Sequence, residues 1–357
     1  MKRSAAVAFT FAFLASLSLP AHAAPKYKIR WLIGHPNLDY FEEAAQQFKT
    51  SVEKGSNGEI AVEIVSAESD GKTAAAVRPE GEIAAAVAAG EAEMGHSFTD
   101  VIGARDPKFL AFNAPYLFRD YAHLEGVLEG EEGRKLLADL SSRDMVGLSF
   151  TFSGGASGVA AHDREIRRPE DLAGLKVGYY GDAVTQAWLK SLGAVPVAIP
   201  HQTEKLGDGY RGRIDAIVIT WRNFDRAELQ SRFNFMNLVG SSYLVSVSYV
   251  NRKFFESLPE AHRKLIAQAS LEAGRIERAK TIELNQDAKR RMLAKGTREI
   301  QLNAEGRAAF AKAAEPVYAS TLDGLLGKDL LARLRKTADG PALPQVAEVL
   351  GKTVTPQ

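Results

Sequence analysis

Residues 259–295 read PEAHRKLIAQASLEAGRIERAKTIELNQDAKRRMLAK, a run in which Pro259 comes first, no further proline follows, and Gly274 is the single glycine. Ile266, Ala269, Ala273 and Ile276 recur at helical spacing. A periodic stretch of this length exceeds an ordinary globular helix. It is long enough to lie across two domains rather than inside one, and this sets the frame for the rest of the chain.

Upstream, two segments share one grammar. In the first, strand-like runs at Lys28–Ile33, Glu59–Val65 and Ala92–Phe98 alternate with helical ones at Tyr40–Val52 and Ile83–Ala89. The rhythm restarts after Met145. Strands are expected at Val146–Phe152, Leu175–Tyr180, Val195–Ile199 and Ile214–Thr220, with a helix at Ala183–Leu192 between them. Alternating β and α elements predict largely parallel sheets covered on both faces. The glycine-rich run Ser153-Gly154-Gly155-Ala156-Ser157-Gly158 suits a crossing between the two units, because glycine tolerates backbone angles other residues avoid. The expected division is 24–152 plus 240–283 for one domain, and 153–239 plus 284–357 for the other.

The N-terminus sets the compartment. Lys2 and Arg3 precede an uncharged, mostly apolar stretch to about Leu19, and Ala21-His22-Ala23 offers small residues at cleavage spacing. Residues 1–23 are therefore expected to be a signal peptide, since the apolar run is short for a membrane span. There is no cysteine, which excludes disulfides, thiolate metal sites and a lipid-anchored N-terminal Cys. Forty-five basic and 44 acidic residues, well mixed, give no sign of nucleic-acid binding.

Nothing assembles a reaction. Gly207, Gly209 and Gly212 satisfy G-x-G-x-x-G, but the run follows an expected helix and precedes a strand, the reverse of the dinucleotide-binding order. The Ser153–Gly158 run lacks both the G-x-S-x-G elbow and a P-loop lysine. His35, His96, His123, His162, His201 and His262 show no pair at metal-ligand spacing. Neither a cofactor, a metal site nor an enzymatic activity is expected, although a secreted hydrolase or isomerase on this scaffold stands as a minor alternative.

Specific segments then carry a resemblance. Phe41–Phe48 followed by Gly58–Ile64 resembles the opening of the solute receptors of tripartite ATP-independent periplasmic (TRAP) transporters. Gly90-Glu91-Ala92-Glu93-Met94 is similar to that family's G-x-x-D-M, with Glu93 for Asp, and Ala114–Phe118 to its LPFLF. The run Arg168–Val177, then Leu192–Val197, Gly212–Ala216 and Ser257–Glu260, continues the series in order. The resemblance implies an α/β, two-domain periplasmic-binding-protein-like fold with a long helix spanning both domains. It implies a periplasmic receptor, expected to be a monomer, that hands a small organic solute to a membrane permease. A receptor serving a membrane signalling kinase is the alternative within the same class.

The resemblance also implies anchors that this chain lacks. The family's arginine two residues after GLK falls on Gly178. A second arginine falls near Ser157 or Gly158, and a polar pair falls on Val218 and Ile219. Missing guanidiniums predict extra room and a bulkier, more apolar ligand, aromatic ones included, with a carboxylate left open. The candidate ligand-binding residues are His35, Glu80, His96, Phe98, Phe152, Tyr179, Tyr180, His201, Trp221 and Arg222.

Overall fold

The computed structural model describes residues 24–34, 38–66, 80–140, 144–199, 210, 212–240 and 242–340. Among the described residues, eleven strands form two sheets. The first holds β1 (Tyr27–Ile33), β2 (Ile60–Ser66), β3 (Met94–Phe98), β4 (Met145–Ala156) and β10 (Tyr243–Asn251), in the order β2-β1-β3-β10-β4. The second holds β5 (Gly158–Ala161), β6 (Lys176–Tyr179), β7 (Val195–Ala198), β8 (Ala216–Ile219), β9 (Phe235–Leu238) and β11 (Arg298–Gln301), ordered β11-β9-β5-β8-β6-β7. Each sheet, with its flanking helices, makes one lobe.

Each sheet is parallel but for one strand. β10 runs antiparallel to β3 and β4, and β5 runs antiparallel to β8 and β9. The reason is topological. β4 leads into β5 at Ala156–Gly158, and β9 leads back into β10 between Leu238 and Tyr243. A strand arriving from the other lobe enters its sheet at the shared edge and must run away from it. The remaining strands of the parallel sets therefore end facing the opposite lobe. At the first crossing Gly155 has φ of +68° and lies under the Tyr121 side chain, so a Cβ there would collide with the phenol oxygen. That hydroxyl accepts the Ala156 N–H at 2.8 Å.

The long segment is one helix, Glu260–Ala294, 35 residues, spanning about 52 Å at 1.5 Å per residue. It contributes to both cores. Ile266, Ala269, Ala273 and Ile276 pack with Trp31, Phe41 and Phe48 in the first lobe, and Ala288 and Met292 pack with Ile217, Trp221 and Phe224 in the second. Between these apolar ends lies a polar stripe facing β4. The Ser270 and Ser149 hydroxyls pair at 2.8 Å. Arg278 donates to the Phe150 carbonyl at 2.7 Å, Thr281 to the Phe152 carbonyl at 2.8 Å, and Asn285 Nδ2 to the Gly154 carbonyl at 2.7 Å. A Cβ on Gly274 would sit 2.7 Å from the Phe150 oxygen; the missing side chain lets the helix approach the strand.

Arg278 is 1 % exposed and also forks onto Glu125, at 2.8 and 3.0 Å, and onto Glu129. Both carboxylates belong to the helix Tyr121–Glu129. Toward its end the chain returns to this region: in the Lys328–Lys336 helix the Arg333 guanidinium pairs with Glu132 at 3.0 Å and the Leu334 carbonyl meets His123 Nε2 at 2.9 Å.

Candidate functional site

The crossings bring one group of side chains together from both lobes. Asp100 and Asn113 come from the first lobe, as do Ser242, Tyr243 and Leu244 at the entry to β10. Ser157, Tyr179, Tyr180, Asp182, Thr185 and Val218 come from the second, and together they enclose about 20 Å³, room for about one water. Their placement follows from the strand directions: β3 ends at Phe98 just before Asp100, and β6 ends at Tyr179 just before Tyr180 and Asp182. In open α/β sheets, ligands sit outside the carboxyl ends of the strands.

Asp182 is the most constrained of these groups. It caps the helix Ala183–Ser191, accepting the Thr185 N–H at 2.7 Å. Burial, reinforced by the Asp100 carboxylate across the cavity, pushes its carboxyl above the usual aspartate range, while donors on Thr185 and Asn113 pull the other way. Burial likewise raises the Tyr243 phenol, aided by Tyr121 and Asp120. Tyr179 accepts a hydrogen bond from Gln186 Nε2 at 3.0 Å. The described lining is therefore made of hydroxyls, one amide and two carboxylates, with apolar Val218 and Leu244.

Of the residues expected at a ligand site, the structure brings Tyr179 and Tyr180 to this cavity. His96 sits fully buried on β3, with Nε2 2.8 Å from Thr151 Oγ1 and its ring 4.1 Å from that of Phe41. Phe98 and Phe152 are core, Phe152 with its ring 5.4 Å from that of Tyr121. Trp221 is 8 % exposed and meets Phe224 edge-on. Thr220 caps the helix Trp221–Arg226, and its hydroxyl accepts the Asn223 N–H, so Trp221 is set into the second core rather than the cleft. Arg222 donates its backbone N–H to Asn285 Oδ1 at 3.0 Å and lies 3.6 Å from Asp225. Glu80 opens the helix Glu80–Ala89. His35 and His201, the expected signal segment 1–23, and Gly207 and Gly209 lie outside the described residues.

The positions where the resemblance implies charged or polar anchors have distinct fates. Ser157 and Val218 do line the cavity. Gly178 does not open space there: a Cβ would meet Ile214, Ile217 and Ile199 at 3.2–3.5 Å, so the expected extra room is filled by isoleucine. Sequence reasoning passed over Asp100, Asn113, Asp182, Thr185 and Tyr243. The signal that finds the two aspartates is their place two or three residues beyond a strand's carboxyl end.

Comparison with known proteins agrees with this geometry. The profile of the bacterial extracellular solute-binding proteins, family 7 (DctP), matches residues 33–323. The C4-dicarboxylate-binding periplasmic protein DctP of Rhodobacter capsulatus is 27 % identical over 239 residues, covering 67 % of this chain and 70 % of that one. A TRAP periplasmic solute-binding protein from Ralstonia eutropha, solved with bound (S)-2-acetolactate, superposes with a TM-score of 0.77 at 23 % identity, covering 87 % and 98 % of the two chains. One from Xanthobacter autotrophicus with bound β-D-galacturonate gives 0.75 at 22 % identity, covering 87 % and 99 %. None of the described helices is long and apolar enough to cross a membrane. With two lobes, a bridging helix, a cavity drawn from both lobes and a profile match over most of its length, the chain belongs to family 7 of the bacterial extracellular solute-binding proteins, the solute-binding subunits of TRAP transporters.

Proposed function

We propose that the chain is a periplasmic, monomeric receptor that closes its lobes over a small hydroxylated organic acid and delivers it, chemically unchanged, to a TRAP permease. The observation that carries this is the cavity at the shared edge, because its lining comes from both lobes. A ligand touching both binds the closed form better and shifts the population toward it. A space of about 20 Å³ is too small for any organic acid, so entry requires the lobes to part about the crossings at Gly154–Gly155 and near Gly240.

The ligand class follows from the lining and the relatives. Hydroxyls of Ser157, Thr185, Tyr180 and Tyr243 can donate to a carboxylate, while Asp100 and Asp182 accept from ligand hydroxyls. The relatives' acetolactate and galacturonate each carry both kinds of group. Tyr179 and Tyr180 remain candidate contacts; the purely aromatic ligand has less support. In this reading the lobes divide at the two strand crossings, and the tail after Asp323 stays with the first lobe, where Arg333 and Leu334 dock.

Thermal shift of the protein lacking residues 1–23, against short dicarboxylates, sugar acids, aromatic acids and amines, tests the class. A ligand at a hundred times its Kd adds about 2.7 kcal/mol. Hydroxy acids should raise Tm by several degrees and be recovered intact by mass spectrometry. Stabilisation by amines alone refutes the acid reading, and a converted ligand refutes the receptor reading.

A further inference from the structure

Glu277 is a carboxyl that ligand binding leaves unused. It sits midway along the bridging helix, 1 % exposed, and faces β4 two residues before Gly154, where the chain begins to cross between lobes. Two contacts reach it and a third links its two partners. The Phe152 N–H donates to Glu277 Oε2. Thr281 Oγ1 lies 2.8 Å from Glu277 Oε1 and 2.8 Å from the Phe152 carbonyl oxygen. A threonine hydroxyl has a single proton, and a carbonyl oxygen can only accept. If the Thr281 proton goes to the Phe152 carbonyl, the other contact is satisfied when Glu277 supplies a proton of its own.

We propose that Glu277 is held as a neutral carboxylic acid, and that its proton closes a hydrogen-bond ring pinning the bridging helix to β4 beside the crossing. The ring then runs in one direction: Phe152 N–H to Glu277, Glu277 O–H to Thr281, Thr281 O–H to the Phe152 carbonyl. The surrounding charges permit this. Arg278, the neighbour on the same helix, aims its guanidinium at Glu125, Glu129 and the Phe150 carbonyl rather than at Glu277. Glu125, on the helix packed alongside, disfavours a second negative charge, and Arg275 is taken up by Glu129. From β3, His96 turns to Thr151. Burial pushes the Glu277 carboxyl up to about 8, against opposing pulls from Phe152, Thr281 and Arg278.

The sign is the reverse of an ordinary ion-paired carboxylate. Between an unfolded value of 4.5 and a folded value of about 8, the native state holds the extra proton. This contribution to stability is fully present below the unfolded value and is lost as pH rises through the folded one. From pH 6 to pH 9 the folding equilibrium constant should fall about a hundredfold on this account.

The test is urea unfolding across that pH range for the wild type and Glu277→Gln. The glutamine amide donates to Thr281 and accepts from Phe152 N–H at any pH. The variant should therefore fold, match or exceed the wild type at pH 9, and lack the hundredfold component. Infrared spectroscopy supplies a second readout: a protonated-carboxyl band present in the wild type at pH 7, bleached at high pH, and absent from Glu277→Gln. Parallel pH profiles, failure of Glu277→Gln to fold, or no protonated-carboxyl band at pH 7 each overturn the proposal.

Discussion

Replacing Arg278 by Met isolates the charge at the centre of the bridging helix. The substitution keeps an unbranched apolar stem and removes the guanidinium, which is 1 % exposed and bonds Glu125 at 2.8 and 3.0 Å and the Phe150 carbonyl at 2.7 Å. Glu125 is itself 2 % exposed, and burial already raises its carboxyl in spite of Arg278. Breaking a buried pair by removing one partner costs roughly 3–5 kcal/mol, because the remaining charge is left uncompensated. In a chain of this size that lowers Tm by about 4–7 °C at pH 7. Glu125 without its cation takes up a proton more readily, so the native variant binds protons that the unfolded chain does not. Its deficit relative to the wild type should therefore shrink as pH falls toward 5. Adding Glu125→Gln removes the orphaned charge and should recover a large part of the loss at pH 7. Thermal melts of the wild type, Arg278→Met and the double variant at pH 5 and pH 7 decide it. If Arg278→Met melts with the wild type at pH 7, or if the double variant is no better than the single, the argument from an uncompensated charge fails.

Two further outcomes follow from the geometry around the crossings. Asn285→Ala deletes both the bond to the Gly154 carbonyl and the acceptor for the Arg222 N–H, leaving buried backbone groups short of partners; urea unfolding should show a loss of about 1–3 kcal/mol. Gly178→Arg installs the guanidinium that the family resemblance implies, but its Cβ meets Ile214 at 3.2 Å. Thermal shift should register a penalty of about 1–3 kcal/mol from overpacking, with no gain in the response to organic acids.

The chain's local grammar was legible where local forces decide. The bridging helix was expected over 259–295 and spans Glu260–Ala294, and its four expected core positions are all buried. The strands at Tyr27–Ile33, Ile60–Ser66 and Met94–Phe98 lie within a residue or two of their expected bounds. The antiparallel insertion of β10 between β3 and β4 was not legible, because a strand's neighbours are fixed by where the chain re-enters the sheet, and no local pattern records that. The same limit applies to the cleft. Aromatic character drew attention to Phe98, Phe152 and Trp221, yet burial on both sides of a sheet demands large apolar groups as strongly as any ligand does. Asp100 and Asp182 carry no motif; their meaning comes from two strand ends being brought face to face.

Among the described residues the chain passes between the lobes four times: at β4–β5, at β9–β10, along the bridging helix, and again after β11, where it returns to the first lobe through the Lys328–Lys336 helix. Four tethers allow far less freedom than one. Swivelling and sliding are suppressed, and the remaining movement is close to a single angular coordinate. A pair of dyes, one per lobe, would therefore be expected to trace the whole opening cycle as a change along one distance. The same arrangement means that neither lobe can be excised as a continuous piece of sequence.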